Sequence, residues 1–249
     1  TNDLNILLFM HIRWTLKSYY AGFIPLGTEI IQGQIAPRKQ MLYMASVQTR
    51  YGHHCGGSLI SDNFVLTAAH CDNNGLARVV LGTHNLRGRG TVRNIVQRCR
   101  HHYYQDHTTG SDIMLLKLSQ RVPIRHIPLP PPNMYLQHNQ MCHVAGWGLT
   151  ETGRGVTDLR VVDVSVVYQN VCRRQWSWLP ANVIFAGGYG TLKGACNGDS
   201  GGPLVCNGMV AGVVSYGDNV CRDPGFPNVY TDLSKFCHWI NQIIRHNGC

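Results

Sequence analysis

Gly198-Asp199-Ser200-Gly201-Gly202-Pro203 sets a hydroxyl among three glycines, with a carboxylate one residue before it. A serine hydroxyl is a weak nucleophile until a base takes its proton. The glycines free the backbone to aim N–H groups at one point, where an oxyanion could sit. Many loops contain a Gly-x-Ser-x-Gly pattern, so its weight depends on a histidine and a carboxylate in matching contexts elsewhere.

Both occur. Thr67-Ala68-Ala69-His70-Cys71 follows the apolar run Phe64-Val65-Leu66, which reads as a strand, and Asp112 stands at the mouth of a second apolar run, Ile113-Met114-Leu115-Leu116. The order His, Asp, Ser is one of several in which this triad is found. Singly, a histidine beside a cysteine or an aspartate at a strand edge reads as structural; jointly they read as a catalytic set.

With these residues the chain resembles the trypsin/chymotrypsin-type serine peptidases from Ile30 to Cys249. Five blocks carry the resemblance: Ile30-Ile31-Gln32-Gly33, the His70 block, the Asp112 block, Ala145-Gly146-Trp147-Gly148, and the Ser200 block followed by Ser215-Tyr216-Gly217. Leu81-Gly82-Thr83-His84-Asn85, the Asp112 block and Val214 to Gly217 are similar to granzymes and mast-cell chymases, while Cys172-Arg173-Arg174 is closer to neutrophil elastase-like relatives. The resemblance implies an all-β fold of two packed antiparallel six-stranded β-barrels with a C-terminal helix. The barrels are expected over about 30–130 and 135–249, after a leader and pro-segment at 1–29.

Residue patterns agree with an all-β body. Val162, Val164 and Val166 alternate with Val161, Asp163 and Ser165, as in a half-buried strand. Asn207-Gly208 between Leu204-Val205-Cys206 and Met209-Val210-Ala211 predicts a hairpin, since both turn residues tolerate positive φ. Only the C-terminus reads as helix: Phe236, Ile240, Ile243 and Ile244 share a face, with Ser234 or Asp232 as cap. Pro128 to Pro132 reads as an extended linker between the barrels.

The resemblance also assigns roles. Ser200 attacks the peptide carbonyl, His70 moves the proton, Asp112 orients the imidazole, and the N–H groups of Gly198 and Ser200 hold the oxyanion. A cut after Glu29 frees the Ile30 ammonium to pair with Asp199; Thr28-Glu29 resembles the acidic pro-dipeptides of granule proteases. Gly194, with Ala195 beside it, floors the pocket for the residue before the cut, Ser215, Tyr216 and Gly217 line its entrance, and Asn228 lies at its rear. No Asp stands there to pair with Lys or Arg, so an uncharged side chain is expected, with Phe, Leu, Met and Val left open. Three disulfides carry over: Cys55–Cys71, Cys142–Cys206 and Cys196–Cys221. A fourth common bridge is in doubt, because Phe185 stands where the partner of Cys172 is expected. Cys99, Cys172, Cys237 and Cys249 stay unassigned, Cys99 and Cys237 reading as buried thiols and Cys249 as a candidate for interchain pairing.

The chain of 249 residues has ten cysteines, no Cys-x-x-Cys pair, and a formal charge of +9. The cysteines fit disulfides in an oxidising compartment better than zinc, and the thirteen histidines are scattered. Thr83 to Arg93 carries arginines and glycines where related proteases hold calcium with carboxylates, so no metal or other cofactor is expected. Asn5 to Met10 falls short of the ~18 apolar residues a membrane helix needs, and nothing resembles a nucleic-acid module. Arg87, Arg89, Arg93, Arg98 and Arg100 crowd one stretch, which reads either as a solvated loop or as a surface for acidic glycans. The expected protein is thus a secreted or granule-stored monomeric endopeptidase, made as a zymogen, with protein or peptide substrates, protein protease inhibitors and heparin-like polyanions as partners. Its rival is a cationic granule protein of weak or no catalysis that binds acidic glycans or microbes; the intact triad argues against it.

Overall fold

The computed structural model describes residues 30–149, 155–172, 179–218, 221 and 223–249. Residues 1–29, where a leader and pro-segment are expected, with the Asn5–Met10 run and Thr28-Glu29, lie outside the described residues, as does Arg173-Arg174.

Among the described residues, thirteen strands and two short α-helices make up the fold. Strands β2 (Met44–Thr49), β3 (Gly52–Ser61), β4 (Phe64–Thr67), β5 (Leu76–Leu81), β6 (Thr91–Arg100) and β7 (Met114–Leu118) close into an antiparallel barrel. Strands β8 (Met141–Gly146), β9 (Arg160–Val167), β10 (Val183–Ala186), β11 (Pro203–Cys206), β12 (Met209–Tyr216) and β13 (Asn228–Asp232) close a second, because β9 pairs with both β10 and β8. Closure removes the exposed strand edges that would otherwise pair with other chains. The Val162, Val164, Val166 alternation of β9 does face inward: all three are buried among Val144, Leu204 and Tyr230. Asn207 and Gly208, at φ 51° and 74°, form the turn between β11 and β12.

The two ends of the described chain exchange barrels, which bounds of 30–130 and 135–249 do not include. Strand β1 (Gln34–Ile35) pairs with β9 of the second barrel. At the other end, helix α2 (Cys237–His246) lays Ile240 and Ile243 into the core of the first, beside Phe64 and Leu116; helix α1 is the short Gln169–Cys172 segment. Asp232 caps only the 3₁₀ turn Leu233–Lys235, accepting from Ser234 N at 3.0 Å, and α2 begins behind Phe236 without a side-chain cap. Its stability therefore comes from burial of its apolar face rather than from capping.

Four disulfides join Cys55–Cys71, Cys99–Cys249, Cys142–Cys206 and Cys196–Cys221, and Cys172 and Cys237 are buried thiols. The Cys99–Cys249 bridge corrects the reading of Cys99 as a thiol and of Cys249 as an interchain partner. Docking of α2 brings the chain end to β6, where Gln97 Nε2 donates to Cys249 O at 2.8 Å. Cys172 sits against Phe185 in an apolar cluster, and burial pushes its thiol up to about 12.

Candidate active site

His70 lies in a 3₁₀ turn, Ala69–Cys71, directly after β4, and the Cys55–Cys71 bridge ties that turn to β3. Asp112 lies two residues before β7 and is 1% exposed. Its Oδ2 accepts from His70 Nδ1 at 2.7 Å and its Oδ1 from His70 N at 2.9 Å. A carboxylate only accepts, so Nδ1 carries the ring proton and Nε2 keeps the lone pair in the neutral ring. The second barrel contributes as well. The register of β12 shifts at Ser215, whose hydroxyl donates to Asp112 Oδ2 at 2.5 Å, and Thr231 Oγ1 donates to Asp112 O at 2.9 Å. Burial acts to raise the Asp112 carboxyl; the bonds and charge of His70 and the Ser215 hydroxyl outweigh it and hold the group below the usual carboxylate range.

Ser200 precedes β11 and faces His70 across one cleft. Contacts between the barrels fix that relation. Ser200 O accepts from Gly56 N at 2.8 Å, and a Cβ on Gly201 would lie 2.1 Å from Thr67 Oγ1, so only glycine lets the serine loop approach β4. The preceding turn is held from behind: Asp199 is fully buried and accepts from Gly148 N at 2.8 Å and Cys196 N at 3.0 Å. Burial outweighs those two bonds and raises its carboxyl from 3.8 to about 7. Ile30 is buried in the second core, and Ile31 bridges to Gly194.

One positioning residue escaped the sequence reading. His53 Nε2 donates to Gly198 O at 2.9 Å, and its Nδ1 bonds Ser46 Oγ at 2.8 Å. Burial lowers the affinity of this ring for a proton, so the neutral tautomer with Nε2–H satisfies both contacts. Gln48 Nε2 donates to Ser46 Oγ and Arg78 Nε to Gln48 Oε1, at 3.1 and 3.0 Å, extending the chain outward. This network fixes the carbonyl of the peptide whose neighbours supply the N–H groups around Ser200. No local signal marks His53, which lies 145 residues from Gly198 in sequence.

The cleft has a volume of about 210 Å³ and is walled by Ala195, Asn197, Ser215, Tyr216, Gly217 and Asn228. That lies below the ~300–1,000 Å³ of small-molecule pockets and suits a single side chain. Gly194 is not among the residues that wall it; it lines a smaller cavity beside it that shares Ala195 and Asn228. Asn228 Oδ1 accepts from Ala195 N at 2.9 Å, so the amide lies over Gly194, where a Cβ would meet Oδ1 at 2.1 Å. The same amide fills the space beside Gly217, whose Cβ would stand 2.4 Å from Nδ2. Both glycines thus make room for Asn228, and the pocket ends at its amide. His107 and Asp218 also reach the cleft; the His107 ring lies 5.3 Å from that of Tyr216, and Asp218 Oδ2 accepts from Asp223 N at 3.3 Å. The sulfurs of Cys55 and Cys71 beside His70 are bonded to each other and offer no thiolate to a metal.

The sequence pattern described as Trypsin matches residues 30–240. The chain belongs to the trypsin family. It is 38% identical to duodenase-1 of Bos taurus over 229 residues, 87% of this chain and 90% of that protein. It is also 38% identical to cathepsin G of Homo sapiens, over 90% of this chain and 92% of that one. A solved structure of neuropsin, described as a serine protease of mouse brain, superposes with a TM-score of 0.78 at 30% identity, covering 86% of this chain and all of that one. This trypsin-family member is a serine endopeptidase of the chymotrypsin-like, granule-protease branch. Among the described residues no helix is long and apolar enough to cross a membrane.

Proposed function

We propose that this endopeptidase cleaves peptide bonds through an acyl-enzyme on Ser200. The observation that carries the reading is the 2.7 Å His70–Asp112 bond facing Ser200 across one cleft. His70 Nε2 takes the hydroxyl proton as Oγ attacks the carbonyl carbon, then gives it to the leaving amine. Asp112 stabilises the imidazolium that forms in between. The Gly198 and Ser200 N–H groups meet the charge on the carbonyl oxygen. Water then enters, and His70 activates it to release the second product.

Activation follows from Asp199. The peptidase domain spans 30–249, and removal of 1–29 by a cut after Glu29 gives Ile30 an ammonium group. A carboxylate buried at Asp199 needs such a cation, and burial of the Ile30 side chain supports its entry there. The four disulfides fit an oxidising compartment, so secretion or granule storage is the proposed location. Protein substrates and protein inhibitors are its partners, and it acts as a monomer.

Uncharged residues are the preferred ones before the cut. At the rear of the pocket a Lys ammonium or Arg guanidinium meets the neutral Asn228 amide, which does not offset its desolvation, and the Asp218 carboxylate that reaches the cleft is engaged by Asp223 N. Matched peptides ending in Arg, Glu, Phe, Leu and Val should show the neutral residues cleaved fastest. Asn228→Asp should raise kcat/KM for Arg by roughly tenfold or more, the amount set by about 1.4 kcal/mol of new charge pairing. A parent preference for Arg or Glu would reject this pocket assignment.

Binding to heparin-like polyanions rests on fewer residues than the sequence suggests. Arg98 pairs with Asp72 at 3.1 Å and donates to Asn73 O and Leu76 O, and half-buried Arg93 donates to Val92 O. Arg87, Arg89 and Arg100 are the exposed members of the group. Retention on immobilised heparin should fall steeply with salt, as the Debye length shortens from roughly 30 Å at 0.01 M to 3 Å at 1 M. It should also weaken in Arg87→Ala/Arg89→Ala. Salt-independent retention would exclude an electrostatic origin.

A further inference from the structure

Four Asn-Gly pairs occur in the chain: Asn74-Gly75, Asn197-Gly198, Asn207-Gly208 and Asn247-Gly248. In such a pair the glycine nitrogen can attack the asparagine side-chain carbonyl, because no Cβ hinders the approach. Hydrogen bonding separates the four. Gly75 N–H donates to Asn73 Oδ1 at 2.8 Å and Gly248 N–H to Ile243 O at 3.0 Å. Those two nitrogens are held by their acceptors. Among the described residues, the N–H groups of Gly198 and Gly208 donate to no such acceptor, and Asn197 and Asn207 are exposed. The site geometry itself keeps Gly198 in this condition. Its φ of 95° is open to glycine, a Cβ there would lie 2.9 Å from Gly148 Cα, and its carbonyl is drawn away to His53. A nitrogen left open for an oxyanion is also left open as a nucleophile.

We propose that Asn197 is a site of spontaneous deamidation that disables the enzyme by taking the Gly198 nitrogen into an imide without an N–H and then, in the isomerised product, displacing the restored N–H from its place. The consequence for activity rests on the proposed oxyanion role of Gly198. The Gly198 nitrogen attacks Cγ of Asn197, forming an N–Cγ bond. The Cγ–Nδ2 bond breaks, Nδ2 leaves as ammonia, and the former amide proton is carried off with it, so no electrons are gained or lost. The ring imide has no N–H to offer a substrate oxygen. Solvent water then opens it at either carbonyl. One product is aspartate at position 197, which regains the Gly198 N–H and sets a carboxylate on the wall of the cleft. The other carries the main chain through the side-chain carbon, adding a methylene to the turn that His53 and Asp199 hold. Neither the imide nor the lengthened backbone presents the original donor.

Ser200→Ala protein, which cannot digest itself, provides the chemical test. After incubation at mildly alkaline pH and digestion with an added protease, the peptide containing Asn197 should show the mass gain of amide-to-acid conversion and separate into two isomers. Asn207 should convert as well, while Asn74 and Asn247 lag. An Asn197 peptide that stays unconverted while Asn207 converts would overturn the proposal. In parallel, fluorophosphonate labelling of the active protein should decline in step with the imide and the isomerised product, those two fractions reacting roughly 10²–10³-fold more slowly. Asn197→Gln closes the larger imide ring far less readily and should keep its own initial labelling rate over the same interval. Accumulation of the isomerised product at Asn197 with undiminished labelling would leave the modification site standing and reject Gly198 as an oxyanion donor, so the two failures are distinguishable.

Discussion

Ser200→Ala is expected to lower kcat by about 10⁶-fold, the scale on which loss of the nucleophile disables such a triad. The hydroxyl is the group that bonds to substrate carbon, and water in its place lacks both its position and its coupling to His70. Folding should be retained. The backbone contacts of the serine loop, Ser200 O to Gly56 N and Gly201 N to Val214 O, at 2.8 Å each, do not involve the side chain. Residual turnover over the uncatalysed rate should persist, because the Gly198 N–H and the cleft remain. Single-turnover kinetics and fluorophosphonate labelling measure the loss, and circular dichroism checks the fold. Cleavage by the alanine variant at the parental rate would show that the nucleophile lies elsewhere.

Processing carries the second large effect. Protein beginning at Ile30 should be active, and protein still bearing Glu29 should be slower by two to four decades. The range follows from the roughly 3–5 kcal/mol of leaving a buried charge unpaired. Asp199→Asn in the processed form should fall by a similar factor. A pH signature separates this from simple misfolding. Without an ammonium beside it, the buried Asp199 carboxyl is raised from 3.8 to about 7. The folded, loop-inserted form then binds a proton that the open chain releases between those values. Stability of the inserted loop is thus fully present below about 4, falls as pH rises through that window, and is lost above about 7. Thermal melts of the unprocessed protein should decline across it, while the processed protein, its carboxylate paired, should not. Equal activity before and after processing would refute this mechanism.

Much of this protein is local in origin and so legible in order of residues. Alternating valines in β9 face one core because a strand turns successive side chains to opposite sides. Asn207-Gly208 makes a turn because those two residues accept positive φ. The triad residues are readable because each needs its own local setting, a turn after a strand for His70 and a glycine-rich loop for Ser200. What the order of residues left open are relations between distant segments. The Asn228 amide closes over Gly194, and His53 reaches Gly198, only because the packing of strands far apart in sequence brings them together. Cys99 finds Cys249 because α2 buries its apolar face in the barrel opposite to its own place in the chain, and connectivity among unassigned cysteines is not encoded in their spacing. Periodicity and turn chemistry act over a few residues, whereas the pocket depth, the support of the oxyanion turn and the fourth disulfide depend on which faces bury the most apolar surface together.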